Sequence, residues 1–297
     1  MTSARLGPPR LSIVVAAWTG PESLARCLAA LRGQLRPDED ELIVSRNFAD
    51  VAPREGIRDV LLETGANVPQ LRAAGFAASS GDIIAFLEDH VVPSPRWREA
   101  LMTACVPPFG VVGGPVDLAP GGRPLDWAVY FYDYARFAPP LCSGPVASLS
   151  GANVAYERAV LARLAGTPGE GLHEVLLESG VHALGIPMWL AGHAKVAVAR
   201  REHPRHAIRR AFALARGYMG RRLAAAPWAG RLARVALAPL IPVVLFTRVV
   251  RVVGARPMLR GKFLRAAGWL LLLQIAWAAG EASGALWGVG RADDAWS

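Results

Sequence analysis

The sequence has little cysteine, and the spacing of these residues excludes a disulfide scaffold or a cysteine-ligated zinc module. Cys27, Cys105 and Cys142 are the three cysteines in 297 residues, and no CxxC motif occurs among them. Scattered thiols of this kind are typical of a reducing compartment. The N-terminal residues also lack the apolar core of a signal peptide. We therefore expect the main domain to be cytoplasmic.

The sequence also lacks an apolar run that clearly reaches the length of a membrane span. Residues 235–247 give thirteen positions between Arg234 and Arg248, whereas a span needs about 20. Residues 266–280 give fifteen positions, or about twenty-three up to Gly288 if the span tolerates the charged Glu281. Positive residues prefer the cytoplasmic side, and the first run has them at both ends. An interfacial or re-entrant helix followed by an interfacial or spanning helix fits better than a simple span of the first run.

Negative charge is nearly absent from one part of the chain. The net charge is +9, and residues 200–265 hold sixteen Lys or Arg against the single acid Glu202. A basic segment suits nucleic acid, an anionic membrane or an acidic substrate. Its interleaving with apolar runs favours a membrane over nucleic acid. We expect a main domain over residues 1–225 and a basic, apolar, helical membrane-association region over 226–297, with two core helices of a soluble domain as the alternative.

The first half of the chain contains an alternation of strand-like and helix-like segments. Short β-branched runs predict strands, and the segments between them carry apolar residues at helical spacing. This alternation is typical of an α/β protein with a doubly wound, largely parallel sheet. Beyond residue 90 the pattern predicts a proline-initiated helix, a bent strand and a final strand. The predicted early strands are 11–17, 40–45, 58–63 and 82–89, and the three later segments are 91–105, 110–120 and 187–200.

Polar residues end the fourth predicted strand, where Glu88, Asp89 and His90 follow an apolar run. Ligands of doubly wound sheets bind beyond the carboxyl ends of the strands. Two carboxylates and an imidazole within three residues suit a hard or borderline divalent cation. A solvated turn that simply ends the strand is the alternative interpretation.

The order of several short motifs resembles the nucleotide-sugar glycosyltransferases of family 2. The motifs are LRAAGFAASSGDIIAFLEDH, GGPVDLA, SGANVAYERAVL and LHEVLLESGVHALGI, and with the N-terminal strand and helix they span about residues 10–205. The resemblance implies that residues 1–225 adopt the GT-A fold, a Rossmann-like α/β fold with a doubly wound mixed sheet. It also implies transfer of a sugar from a nucleotide-diphosphate donor to a hydroxyl acceptor, with inversion at the anomeric carbon.

The resemblance places Glu88 and His90 at the two aspartate positions of the family's Asp-x-Asp motif, with Asp89 between them. It implies that Glu88 and His90 bind Mn²⁺ or Mg²⁺, which would bridge the donor diphosphate and act as a Lewis acid on the leaving nucleotide. Glu88 and Asp89 would also contact the donor. His90 departs from the usual aspartate, but imidazole is a common metal ligand.

Glu174 falls at the position of the family's catalytic-base aspartate, and His173 replaces the preceding glutamate. A carboxylate near the sugar C1 would take the proton of the attacking acceptor hydroxyl, which is general-base catalysis. A solvated helix residue is the alternative for Glu174. A zinc-binding HExxH helix is disfavoured because Leu177 stands where its second histidine belongs.

The resemblance also predicts donor contacts elsewhere in the sequence. Trp18 offers a stacking surface for the nucleobase. Arg72 would face a phosphate, Gly151 permits a close backbone approach, and the Asn153 amide would hold a hydroxyl. Ordinary turn positions, or a loop position for His203, are the alternatives. The predicted donor-binding residues are Ala17, Trp18, Arg46, Asn47, Arg72, Glu88, Asp89, Gly151, Asn153 and His203.

The second strand departs from the family pattern. Ser45, Arg46 and Asn47 stand where an aspartate usually holds the nucleobase, and Asp50 could substitute from a shifted loop. The basic tail suggests a lipid-linked glycan as acceptor, at the cytoplasmic face of the membrane. The alternative from a different class is a catalytically inactive GT-A-like protein that serves as a membrane-bound partner in glycan assembly.

Overall fold

The computed structural model describes residues 10–49, 55–165 and 171–290. Asp50, which the sequence suggested as a nucleobase contact, lies outside these residues. Contacts within the described part divide it into two compact units, one containing the β-sheets and one built of helices.

The two units do not follow the boundary expected from the sequence. The first comprises the described residues of Met1–Asp117 and Phe137–Ala199. The second comprises those of Leu118–Arg136 and Arg200–Ser297. The helical unit therefore includes a segment from the middle of the chain and begins its C-terminal part before residue 226.

The strands of the described residues form one large mixed sheet and one small sheet. In chain order they are β1 (Leu11–Ala17), β2 (Asp40–Arg46), β3 (Ile57–Leu61), β4 (Ile83–Glu88), β5 (Val91–Pro93), β6 (Val111–Gly113), β7 (Val116–Leu118), β8 (Gly144–Val146), β9 (Asn153–Glu157), β10 (Met188–Leu190) and β11 (Val196–Val198). The large sheet has the order β3-β2-β1-β4-β9-β6-β10-β8, and the small sheet has the order β5-β11-β7.

Strands β1 and β4 lie at the centre of the large sheet. β1 pairs in parallel with both β2 and β4, and β4 pairs antiparallel with β9. Every residue of β1 is buried, which explains its nearly all-apolar sequence. The α/β class with a doubly wound mixed sheet is confirmed. The carboxyl ends of β1, β2 and β4 meet at one edge of the sheet, and β4 ends there with Glu88.

Ten α-helices occur in the described residues. In chain order they are α1 (Pro21–Arg32), α2 (Val68–Ala78), α3 (Trp97–Ala104), α4 (Pro124–Tyr134), α5 (Arg158–Leu164), α6 (Glu174–Ala183), α7 (Pro204–Arg222), α8 (Trp228–Leu237), α9 (Leu240–Gly254) and α10 (Pro257–Trp287). Helix α2 begins with a capping box in which Asn67 and Gln70 bond each other's backbone. At Gly75 it lies so close to the sheet that a Cβ would overlap the Val14 side chain.

Two predicted strands are each divided between the two sheets. The run 110–120 forms β6 and β7, and the run 187–200 forms β10 and β11. The points at which the two strands divide lie side by side, because a Cβ on Gly114 would overlap the carbonyl group of Ala194. Such a close backbone approach requires glycine. The segment 91–105 likewise forms strand β5 before it enters helix α3.

In the helical unit, α10 packs along α7 and α4. At Gly280 and Gly284 its backbone lies so close to α7 that a Cβ would overlap the carbonyl oxygens of Phe212 and Arg216. Glycines of this kind let two helix backbones approach each other. This close packing explains why α7 belongs with the tail helices, although the sequence placed it in the main domain.

Helix α10 has 31 residues, more than the apolar run 266–280 indicated. Within the described ranges it is the one helix long and apolar enough to cross a membrane by itself, and α8 with α9 meets the same criteria as a pair bent by 55°. Core helices of soluble proteins meet these criteria too. Glu281, within α10, is buried and pairs with Arg234 and with the indole N–H of Trp277.

The three cysteines are free thiols. Burial raises the pKa of the Cys27 thiol well above its usual range and that of the Cys105 thiol to about 12. A thiol that stays protonated is a poor nucleophile and a poor metal ligand. These two cysteines therefore serve packing, as their scattered positions indicated.

Candidate active site

Glu88 ends strand β4 with its carboxylate held from two sides. Oε1 accepts a hydrogen bond of 2.9 Å from Nη2 of Arg72 on helix α2, and Oε2 accepts one of 3.3 Å from Nε1 of Trp18. The side chains of Arg72 and Glu88 are 5% and 12% exposed. The strand therefore ends in a carboxylate that is fixed by its partners and largely shielded from solvent, and not in a solvated turn.

His90 faces the same carboxylate. Its Nδ1 lies 3.5 Å from Oε2 of Glu88, and its ring meets the Trp18 indole edge-on at 5.8 Å between centroids. The residue is 2% exposed. The sequence prediction that Glu88 and His90 lie together at the carboxyl edge agrees with this geometry.

Glu88 and His90 suit part of a divalent metal site. One carboxylate oxygen and one imidazole nitrogen, 3.5 Å apart, face each other. Among the residues that the structure describes, no group of three or more His, Cys, Asp or Glu forms a complete protein site. Mg²⁺ commonly binds through one or two protein ligands and completes its shell with water and substrate phosphates. The pair fits a cation that is shared with a diphosphate.

Asp89 points away from this pair and shapes the loop after β1. Its carboxylate accepts hydrogen bonds from the backbone N–H groups of Thr19 and Gly20, at 2.8 and 3.2 Å, and from the Thr19 hydroxyl at 2.9 Å. Burial raises the pKa of Asp89 to about 6, although these three hydrogen bonds lower it. We therefore expect Asp89 to hold the loop in place rather than to contact the donor directly.

Ala17 and Trp18 occupy the carboxyl end of β1. Ala17 is buried, while Trp18 is half-buried and packs against a small cluster that includes Val68 and Leu71 of helix α2. Trp18 thus links α2, Glu88 and the His90 ring. A nucleobase contact for these two residues stays a prediction.

Arg46 and Asn47 end strand β2, beside the end of β1. Arg46 Nε donates to both carboxylate oxygens of Asp59, at 2.9 and 3.0 Å. Asn47 Nδ2 donates to the carbonyl of Ala66 at 2.8 Å. Both side chains are occupied by protein partners, at the place where the family usually has a nucleobase-binding aspartate. Their donor contacts also stay predictions.

Gly151 lies beside two charged side chains. A Cβ on Gly151 would overlap the Glu174 carboxylate and would lie 2.7 Å from Nη2 of Arg72. Glu174 is the first residue of α6. The segment before α6 is tied to α2, since the Leu172 N–H donates to the Pro69 carbonyl at 2.8 Å. Glu88, Arg72, Gly151 and Glu174 therefore come together from four separate segments.

Asn153, two residues after Gly151 in the chain, is completely buried. Its Oδ1 accepts a 2.9 Å hydrogen bond from Nε1 of Trp97, and its Nδ2 donates to the carbonyls of Ala194 and Pro115 at 2.7 and 3.3 Å. Sequence reasoning missed the Trp97 contact, for which an apolar tryptophan in a short helix gives no signal. Because both ends of the amide are used, we expect Asn153 to position the loop rather than hold a donor hydroxyl.

A buried tyrosine and a partly buried hydrogen bond near Glu174 were also not anticipated. Tyr156 is buried and interacts electrostatically with Arg72, Glu174 and Glu178, and burial raises the pKa of its hydroxyl well above the usual range. The Ser148 hydroxyl donates to Glu178 at 2.8 Å. Nothing in the spacing of these residues connects them, because they come from strand β9, helix α6 and a loop.

His203 belongs to the helical unit, where it immediately precedes α7. Four residues before His203, and within the first unit, the chain lies beside His90, because the Ala199 N–H donates to the His90 carbonyl at 2.8 Å. The predicted donor contact of His203 stays a prediction.

The fold and the edge geometry define a GT-A-type α/β protein. A mannosyltransferase from Pyrobaculum calidifontis, solved with GDP-Man and Mn²⁺, matches at a TM-score of 0.56 and 14% identity over 95% of this chain and 88% of its own. GalNAc-T7, solved with UDP, GalNAc and Mn²⁺, matches at 0.52 and 14% over 66% of this chain, and this chain covers 45% of it. At these identities the likeness shows the fold.

The family follows from the sequence match. The model of glycosyl transferase family 2 matches residues 12–164, just over half of the chain. The chain belongs to this family, as the motifs indicated. No curated protein sequence matches it.

Replacing Asn153 with alanine tests whether its amide is structural. The change leaves the Trp97 N–H buried without its acceptor, so we expect the free energy of unfolding to fall by about 1–3 kcal/mol. Chemical denaturation measures this loss. Ser143→Ala is a control, because Ser143 is exposed and its hydroxyl bonds one backbone N–H. Equal stability of the Asn153→Ala and Ser143→Ala proteins would contradict the structural role.

Proposed function

We propose that this family 2 glycosyltransferase moves a sugar from a nucleotide-diphosphate donor to a hydroxyl acceptor. The observation that carries the proposal is the approach of Glu88 and Glu174 to Arg72 and Gly151, with His90 facing Glu88, at the ligand-binding edge of the sheet. The similar structures solved with UDP or GDP-Man support this class of donor. The nucleobase stays open, since Arg46 and Asn47 replace the usual aspartate.

The proposed cofactor is Mn²⁺ or Mg²⁺, held by Glu88 and His90. Bound there with the donor diphosphate, the cation would act as a Lewis acid and stabilise the charge on the leaving nucleotide. Trp18 and Arg72 orient Glu88, and Trp18 also packs against the His90 ring. The low exposure of these side chains keeps water away from the carboxylate.

Glu174 is the proposed general base. Its carboxylate accepts the proton of the acceptor hydroxyl as the oxygen attacks the anomeric carbon. Direct displacement of this kind inverts the anomeric configuration. Gly151 leaves space for the carboxylate, because any larger residue there would overlap it.

The acceptor is proposed to be a lipid-linked glycan at the cytoplasmic face of the membrane. Most large apolar side chains that the structure leaves exposed lie in the last three helices of the helical unit. Exposed basic residues, including Arg248 and Arg260, lie among them. Apolar faces with basic neighbours favour binding to anionic lipid surfaces. The exposed apolar residues are Trp228, Leu232, Leu237, Leu240, Val243, Val244, Val250, Met258, Leu264, Leu271, Leu272, Ile275 and Trp287.

The alternative is an inactive GT-A-like membrane-bound partner in glycan assembly. Its support is the end of β2, where Arg46 and Asn47 bond protein groups instead of offering a free carboxylate. An enzyme binds a nucleotide in a metal-dependent manner, whereas the scaffold binds none.

Glu174→Gln is the direct test of the proposed mechanism. Glutamine keeps the shape of the side chain but cannot accept the proton, so we expect transfer to fall by about 10²- to 10⁴-fold with donor binding retained. Release of UDP or GDP from a panel of nucleotide sugars, with lipid extract as acceptor, measures transfer. Glu178→Gln on the same helix is the matched control and should stay active. Normal transfer by Glu174→Gln would refute the base assignment.

Leu240→Glu together with Val244→Glu tests the proposed membrane face. Both side chains are exposed on α9, so the changes should leave folding intact while placing charge on an apolar surface. We expect the double variant to lose co-flotation with anionic phosphatidylglycerol vesicles. Leu61→Glu is the control, because Leu61 in the first unit is 57% exposed, as is Leu240. Unchanged flotation of the double variant would contradict this surface.

A further inference from the structure

We propose that Arg72 is a positioning residue that holds the metal-side carboxylate and the base carboxylate, Glu88 and Glu174, at a fixed separation. This role rests on the proposed function, because it assigns Glu174 as the base. It differs from the phosphate contact that the sequence suggested for Arg72.

One guanidinium nitrogen lies close to both carboxylates. Nη2 of Arg72 donates to Oε1 of Glu88 at 2.9 Å. The same Nη2 lies 2.7 Å from the point where a Gly151 Cβ would stand, and the Glu174 carboxylate overlaps that point. Arg72 therefore lies against both carboxylates, within the roughly 4–6 Å over which opposite charges attract strongly.

Burial makes this arrangement rigid. Arg72 is 4% exposed, and its neighbour Tyr156 is 6% exposed. A long charged side chain loses its rotamer freedom in such surroundings, and its charge is little screened by solvent. A guanidinium held this way fixes the carboxylates that it contacts.

Helix α2 forms a common frame for the two carboxylates. Gly75 brings the helix against Val14 of β1, next to the strand that carries Glu88. At the helix start, Pro69 contacts Gly171 and accepts the hydrogen bond of Leu172, two residues before Glu174. Arg72 lies between these two attachments. The same helix thus sets the positions of both carboxylates.

The chemistry of the side chain explains why arginine stands here. A guanidinium is a planar fork with five donors, whereas a lysine ammonium is a compact charge on a flexible stem. Lysine at position 72 would keep a positive charge near both carboxylates, but its flexible stem would not fix their separation. The two functions of the residue are therefore separable by mutation.

The test compares Arg72→Lys, Arg72→Met and Gly151→Ala in the full-length protein. Mn²⁺-dependent binding of UDP and GDP is measured by calorimetry, and transfer by nucleotide release. We expect Arg72→Lys and Gly151→Ala to bind nucleotide like the wild type, with KM for the donor unchanged and kcat reduced by about 10²-fold, as expected for a small misplacement. Arg72→Met should lose both binding and transfer.

The control is Arg98→Lys. Arg98 is also 4% exposed and pairs with Asp40 and Glu39 in the same unit. Because it contacts neither Glu88 nor Glu174, its lysine variant should keep kcat even if stability falls.

Three outcomes would overturn the role. Full kcat in Arg72→Lys would show that any positive charge suffices. A raised donor KM with a normal kcat in Arg72→Lys would show that Arg72 contacts a donor phosphate instead. Absence of Mn²⁺-dependent nucleotide binding in the wild type would overturn the proposed function itself, and with it this role; the first two outcomes leave that function standing.

Discussion

The buried ion pair between Arg72 and Glu88 is the interaction on which the proposed site depends. Both side chains have lost most of their water, and the desolvation of such a pair offsets much of its attraction. The pair therefore adds little net stability, yet removing one partner would leave the other charge buried alone. It ties helix α2 to the end of β4, and both the guanidinium and the Glu174 carboxylate lie beside Gly151. The geometry of the whole site follows from it.

Local signals were sufficient for the first four strands and for the class of fold. Short, nearly all-apolar runs such as Leu11–Ala17 are typical of strands buried on both faces, and parallel strands bring their carboxyl ends to one edge. The position of Glu88 and His90 at that edge followed from this rule. The order and spacing of the motifs also identified the family correctly, because the motifs lie on separate helices and strands of the fold.

Contacts between distant segments could not be predicted in this way. The division of two predicted strands depends on the approach of Gly114 to Ala194, eighty residues apart in the chain. Asp89 and Asn153 have the residue types of ligands, but backbone groups, the Thr19 hydroxyl and an indole use all their polar atoms. The place of α7 in the helical unit depends on glycines of α10. The sequence of α10 alone does not show which helix packs against these glycines.

Metal-dependent nucleotide binding tests the central claim most directly. Calorimetric titration of UDP and GDP into the wild-type protein, with and without Mn²⁺, is compared with His90→Ala. We expect one of the two nucleotides to bind only in the presence of Mn²⁺, and this binding to disappear in His90→Ala while the variant stays folded. Nucleotide binding that is unchanged in His90→Ala, or absent from the wild type with Mn²⁺ present, would contradict the account.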